Sequence, residues 1–308
     1  MKASVESSLN ATFAQQLAQY YELTKPRVVS LIMFTAIVGM FLSTRGMVPL
    51  DALLLGTLGI GLAAASGAAI NQLLDQRFDT LMARTQRRPL PTGQLNAYQA
   101  VTFALLLAVF SMVVLSFGVN MLTAVLTFAS LIGYAVIYTV FLKHWTPQNI
   151  VIGGAAGASP PVLGWAAVTG EVSADALLLF LIIFCWTPPH FWALALYRRK
   201  EYANAGIPML PVTHGDKFTR LHILLYTLLL AAVSVMPFAT RMSGWIYLVG
   251  ALLLNGKFIL YAIRLYRLYD DALARRTFGY SIQFLAMLFA LMLVDHYRES
   301  YLGWLGMN

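Results

Sequence analysis

Apolar residues in this chain come in long runs rather than in stripes. Nine runs fall near residues 28–44, 51–70, 97–116, 119–141, 150–168, 174–196, 221–240, 244–266 and 278–295, each bounded by polar or charged residues. Runs of about 20 residues, apolar on every side, predict helices that cross a membrane. The period-two alternation of a membrane barrel strand is absent. The predicted fold is therefore an all-α polytopic bundle of about nine transmembrane helices. Residues 1–20 are polar and read as a mobile or interfacial cytoplasmic lead, followed by a single membrane domain over 21–308. The N-terminal stretch has no short apolar core followed by a small-residue cleavage site, so it does not read as a signal peptide.

Composition narrows the class. Hydrophobic residues make up 59% and charged residues 11%, against about 25% charged in soluble domains. The single cysteine, Cys185, excludes an intrachain disulfide framework and any CxxC metal site. The net charge of +8 is unevenly placed. With the N-terminus inside, the inner segments carry Lys2, Lys25, Arg27, Arg77, Arg84, Arg87, Arg88, Lys143, Arg198, Arg199, Lys200, Lys217, Arg220, Arg264, Arg267, Arg275 and Arg276. The outer segments carry only Arg45, Arg241 and Arg298, and Lys257 falls within the eighth run. This asymmetry predicts a cytoplasmic N-terminus and an external C-terminus. It also accounts for the basic charge without a nucleic-acid partner.

The densest polar segment is NQLLDQRFDTLMARTQRRPLPTG, residues 71–93. Asn71, Asp75 and Asp79 are spaced by four and fall on one face of a helix continuing the second span. Two carboxylates and an amide, with Arg84, Arg87 and Arg88 just beyond, suit a hard cation such as Mg2+ held against a phosphorylated substrate. A solvated loop is the plainer alternative. The connection 80–96 is longer than the usual four to six residues, roughly, which also points to use.

Two more polar clusters close the fourth and sixth spans. Tyr138, Lys143 and His144 end the fourth, and Gln148 and Asn149 open the fifth; a positive-inside turn is the plain reading of Lys143. The fifth span carries Pro160 and Pro161, and the sixth Pro188 and Pro189, all expected to kink their helices. His190 follows inside the membrane stretch, where an ionisable residue is a functional candidate or else a partner for a carbonyl freed by the kink. Tyr197, Arg198, Arg199, Lys200, Glu201 and Tyr202 come next. Lys25 and Arg27 sit at the mouth of the first span, as lipid-headgroup anchors or anion contacts. Lys257 with Asn255 reads as buried or snorkelling. Asp295, His296 and Glu299 form a weak metal candidate at the other side. No phosphate-binding glycine loop, HExxH or GxSxG is present, so nucleotide hydrolysis, zinc peptidase and serine hydrolase chemistry have no support.

NQLLDQRFD resembles the NxxxDxxxD signature of the UbiA-type intramembrane prenyltransferases. A narrower resemblance, to the protohaem IX farnesyltransferases or haem O synthases, rests on LTKPRV at 23–28, MARTQRRPL at 82–90, TPQNIVIGGAAGASPPVLGW at 146–165, TPPHFWALA at 187–195 and GIPMLPV at 206–212. The resemblance implies a nine-span bundle around a central cavity in a bacterial inner membrane. It implies farnesyl diphosphate and haem b as substrates, Mg2+ as the ion, and haem A synthase or a terminal oxidase assembly as consumer of the product. Asn71, Asp75 and Asp79 would hold the ion. Arg84, Arg88 and Lys143, with Arg198 or Lys200, would meet the remaining diphosphate charge. Lys25, Arg27, Tyr138, Asn149, His190, Glu201 and Tyr202 would line the substrates. For His190 it leaves two uses open, as iron ligand or as propionate partner. Where many members carry a second acidic motif, this chain reads YRRKEY, with Glu201 its only carboxylate, and position 144 is His where a basic residue is expected. A quinone-precursor prenyltransferase, a transporter and an oxidase subunit are the competing classes. TPPHFW argues against the first, and the placing of the polar clusters at the inner helix ends argues against the second. The third would leave the acidic face without a use.

Overall fold

The computed structural model describes residues 2–298, with side chains described from residue 13. Its elements, in chain order, are α1 Lys2–Leu23, α2 Pro26–Leu42, α3 Leu50–Leu74, α4 Gln76–Asp79, α5 Ala97–Gly118 and α6 Met121–Ile132. The last continues as a π-helix, Gly133–Leu142, into α7 Lys143–Trp145. Then come α8 Asn149–Ala158, α9 Pro160–Thr169, α10 Ala174–Tyr197, α11 Arg199–Asn204, α12 Leu210–Thr213, α13 Gly215–Ala239, α14 Trp245–Arg267 and α15 Asp271–His296. No strand occurs among the described residues.

Among the described residues, eight helical stretches are long and apolar enough to cross a membrane. The pair Phe13–Leu23 and Pro26–Leu42, bent by 54° at its break, makes a ninth if it is counted as one span. The protein is thus an integral membrane protein. Leu105, Leu106 and Phe110 on α5 remain more than half exposed. Such side chains suit a lipid-facing surface. The expected polar lead is in fact helical: α1 begins at Lys2 and runs to Leu23.

Neighbouring helices approach through small residues. On α3, the Ser66 hydroxyl donates to Ala104 O (2.8 Å), and on α5 the Ser111 hydroxyl donates to Gly59 O (2.6 Å), which seals α3 against α5. The contact between α2 and α9 is closer still. A Cβ at Gly164 would lie 1.9 Å from Ala36 O, and one at Gly39 would lie 2.2 Å from Pro161 O. Here backbone meets backbone, and only glycine leaves room.

The prolines act in two ways. Pro160 opens α9 after an interruption at Ser159, whose backbone stays helical (φ −70°, ψ −28°), so α8 and α9 run on as one span, Asn149–Thr169. A proline at a first helical position lacks only an N–H that would have had no intrahelical partner. Pro188 and Pro189 stay inside α10, which continues to Tyr197.

The far-side acidic group has a structural use. Asp295 is buried and its carboxylate accepts from the backbone N–H of Gly244 and of Tyr247 (3.4 Å for the latter), capping the start of α14. His296 meets Thr44 O at 2.9 Å, and Glu299 lies outside the described residues. Lys257 is exposed, with its ammonium 4.7 Å from the centre of the Tyr280 ring, and Asn255 donates to Ala251 O (2.8 Å).

Candidate active site

The site forms where α3 ends. The α-helix stops at Leu74, and Asp75 is its cap (φ −84°, ψ −2°). The predicted single helical face is therefore interrupted at Asp75. Yet the i to i−4 backbone bonds persist, from Asp75 N to Asn71 O (3.0 Å) and from Asp79 N to Asp75 O (2.9 Å). The three side chains still turn inward: Asn71, Asp75 and Asp79 are each 3–4% exposed.

Each of these oxygen-bearing groups is met by one cation. The Lys143 ammonium lies 2.6 Å from Asp75 Oδ1. Arg88 donates to Asp79 Oδ2 at 2.6 Å. Lys25 donates to the Asn71 side-chain oxygen. Removing a carboxylate from water is costly unless such a partner compensates it. Three separate segments supply the partners, so the pairing also fixes how those segments meet.

The segments are themselves braced. Lys25 adopts a left-handed backbone (φ 51°, ψ 61°) ahead of Pro26, an uncommon conformation for a non-glycine residue. Gln72, next to Asn71, donates to Glu22 O (3.1 Å) and Leu23 O (3.0 Å), and so ties the end of α1 to α3. The 80–96 connection is a compact series of turns. Thr85 donates to Asp79 O (3.0 Å), Gln76 to Leu90 O (3.2 Å), and Leu90 and Leu95 are buried. These contacts carry Arg88 over Asp79.

Lys143 is positioned by its own turn. Asn149 is fully buried and donates to Lys143 O (3.3 Å). His144 stacks on Phe78 (centroids 4.4 Å), between the two aspartates in sequence. His144 thus braces the site through its ring, where the sequence suggested a charge. The π-helical turn brings Tyr134 and Tyr138 into parallel stacking, with centroids 5.7 Å apart. Tyr138 fits because position 153 is glycine: a Cβ there would lie 2.2 Å from its ring. Thr139 accepts from the Asn71 amide nitrogen (3.1 Å) and donates to Tyr134 O (2.8 Å).

The other expected residues stand apart from the carboxylates. Arg198 is engaged with Glu201 through both carboxylate oxygens (2.8 and 3.1 Å). Tyr202 is buried nearby. Burial raises its hydroxyl above the usual tyrosine value, and the fields of Arg84 and Arg198 oppose that rise. Arg27, Arg84 and Lys200 are exposed and make no ion pair among the described residues. His190 contacts Ser281, not a carbonyl of the proline kink.

Sequence reasoning missed Gln72, Thr139 and Tyr134. A hydroxyl within an apolar run was the available signal for Thr139; nothing marked the others.

A family model described as "UbiA prenyltransferase family" matches residues 32–290. This chain belongs to the UbiA prenyltransferase family. Among similar UbiA relatives is a protein of Nitrosospira multiformis named protoheme IX farnesyltransferase. It is 62% identical over 92% of this chain and 95% of its own length. Proteins of the same name from Nitrosomonas europaea and Thioalkalivibrio sulfidiphilus are each 61% identical, over 92% and 96% of this chain and 95% and 98% of their own lengths. The UbiA fold is also seen in solved structures. A study of a digeranylgeranylglyceryl phosphate synthase gives a structure with a TM-score of 0.78, at 19% identity over 92% of this chain and 99% of that one. A UbiA homologue from Archaeoglobus fulgidus bound to DMAPP and Mg2+ gives 0.66, at 19% identity over 90% and 99%.

Proposed function

We propose that this protein transfers the farnesyl group of farnesyl diphosphate to a vinyl group of haem b, with addition of water, giving haem O and diphosphate. The relatives' common name supports the substrates. The observation that carries the chemistry is the pairing of Asn71, Asp75 and Asp79 with Lys25, Lys143 and Arg88. That pairing supports reading the three oxygen-bearing groups as a metal-binding set and the three cations as a diphosphate-binding set.

The donor set fits Mg2+. This ion is usually held by one or two carboxylates together with substrate phosphates and water, rather than by a closed protein cage. No cluster of three or more His, Cys, Asp or Glu occurs among the described residues, so a zinc-type cage has no basis there. Asp75, Asp79 and the Asn71 oxygen would hold the ion. Bound there, Mg2+ would neutralise phosphate charge and improve diphosphate as a leaving group.

The residues then exchange partners. Lys143, Arg88 and Lys25 leave their oxygens and turn to the diphosphate, so that each buried charge stays compensated. As the C1–O bond breaks, its electron pair leaves with the diphosphate, where these cations stabilise it. The allylic cation lies beside the stacked faces of Tyr134 and Tyr138, which attract positive charge. The vinyl π-electrons form the new C–C bond. Water captures the cation left beside the pyrrole, and its proton passes to solvent. No side-chain base is required, because water addition gives a protonated alcohol acidic enough to lose its proton to water. Asn149 and His144 position Lys143. Arg84, Arg198, Lys200, Glu201 and Tyr202 line the approach from α11 and the 80–96 turns, and Arg27 serves the membrane surface.

The charge asymmetry supports a cytoplasmic N-terminus in a bacterial inner membrane, with the site on the cytoplasmic side. Haem A synthase or a terminal oxidase would consume the product. The test is conversion of haem b by the purified, lipid-reconstituted protein with farnesyl diphosphate and Mg2+, read by mass. Asp75→Ala is expected to abolish it. Undiminished conversion by that variant would remove the leaving-group site from this place. Prenylation of a phenolic acid in place of haem would move the protein to quinone chemistry.

A further inference from the structure

His190 takes no part in the diphosphate chemistry, yet its setting is specific. It lies seven residues before the end of α10 at Tyr197, about 10 Å along the helix axis. Its ring is held between Trp186 (centroids 4.2 Å, 20° between planes) and Phe278 (4.6 Å, 29°). Its Nδ1 is 2.7 Å from Ser281 Oγ. The Ser281 hydroxyl has one proton, and that proton is directed to Phe278 O at 2.6 Å. Two oxygens that close would repel without a hydrogen between them. Ser281 is therefore the acceptor toward His190, and Nδ1 carries the ring proton. Nε2 is left with a lone pair. Among the described residues no hydrogen bond reaches it, and the atom is not fully sealed from its surroundings. An imidazole whose Nδ1–H is fixed by an oxygen, with Nε2 bare, is the form that binds a metal. The same assignment argues against a propionate contact, because a bare Nε2 has no proton to donate.

The surroundings continue the pattern. Phe278 also packs edge-on against Tyr197 (6.4 Å). Two guanidinium groups approach the Tyr197 ring, Arg198 at 5.6 Å and Arg275 at 5.2 Å. Along α10 and α15 the order is thus an imidazole lone pair, flat apolar rings, then paired guanidinium groups. Haem b offers the matching order: an iron, a planar apolar macrocycle, and two carboxylates on one edge. Arg198 is shared with Glu201, whereas Arg275 has no ion pair among the described residues.

We propose that haem b binds against α10 and α15 with His190 Nε2 as axial ligand to its iron and with Arg275, assisted by Arg198, at its propionates. This rests on haem being the acceptor. The test uses the full-length protein in lipid with ferrous haem b and no farnesyl diphosphate, read by resonance Raman. The wild type is expected to show an iron–histidine stretching band. His190→Gly should lose it, and added imidazole should restore it, which a merely misfolded variant would not allow. Arg275→Ala should weaken haem binding about tenfold, the loss expected for one charge-assisted contact, with the band retained. A band that survives in His190→Gly overturns the proposal. So does a wild type that makes haem O but shows no band. A wild type that neither binds haem nor forms haem O overturns the acceptor assignment as well.

Discussion

Replacing Lys143 with methionine keeps most of the stem and removes the ammonium from Asp75. The Asp75 side chain is 6% exposed and that of Lys143 11%, so little solvent is present to take over the charge. Breaking a buried pair by removing one partner costs about 3–5 kcal/mol. Arg88 and Lys25 still act nearby, so the lower end applies, about 3 kcal/mol. At about 2–4 °C per kcal/mol for a chain of this order, the unfolding midpoint should fall by roughly 6–12 °C. Adding Asp75→Asn to Lys143→Met removes the orphaned charge and should return most of that loss. Mg2+ should stabilise Lys143→Met more than the wild type, because in the wild type it must first displace the lysine. At a hundredfold excess over its Kd, a ligand adds about 2.7 kcal/mol. Thermal unfolding in lipid, with and without Mg2+, measures all of these. Turnover of Lys143→Met should drop by about 10²–10³, as for loss of one electrostatic stabiliser, and the double variant, which also lacks the Asp75 carboxylate, should be inactive. Unfolding of Lys143→Met at the wild-type temperature, or a larger rise with Mg2+ in the wild type than in the variant, would refute the exchange of partners.

Chelation of divalent ions should abolish haem O formation, and Mg2+ should restore it; activity that survives exhaustive chelation would contradict the assignment of Asp75 and Asp79. Gly164→Ala, which drives a methyl group against Ala36 O, should cost about 3 kcal/mol through overpacking. Gly157→Ala, with nothing within 4 Å of the new carbon, should unfold as the wild type does. Gly153→Ala should displace the Tyr138 ring and slow turnover about tenfold, roughly the effect of about 1.4 kcal/mol, while leaving the unfolding midpoint within a few degrees. Equal loss of stability and rate would show that the glycine serves packing alone.

Spans and their order were legible because a membrane allows few spanning structures, and runs of Leu, Ile, Val and Phe declare themselves without reference to tertiary contacts. The spacing of Asn71, Asp75 and Asp79 was legible for the same local reason. The break of α3 at Asp75 was not, because the backbone bonds continue across it. Nor could spacing show that Lys25 and Lys143, 118 positions apart in the numbering, reach neighbouring oxygens of one cluster. Arg88 meets Asp79, whereas Arg84, four residues earlier, stays exposed. Only the turn contacts of Thr85 and Gln76 separate the two. Asn149 reads as a substrate contact from its position alone; its bond to Lys143 O, which anchors the turn, could not be read from spacing. His144 looked like a lost charge, and is a stacking partner.

The π-helix between Gly133 and Leu142 has a consequence for how this chain can vary in length. A π-turn closes its bonds one residue later than an α-turn, so this stretch accommodates residues that a regular helix of the same span would exclude. Deleting one of them would let the segment relax toward α-helix and absorb the loss locally, so that Lys143, which directly follows, keeps its place against Asp75. A single-codon insertion has no such slack in the same stretch. It would turn everything downstream by about 100° and swing the Lys143 ammonium off Asp75 without touching any residue of the site.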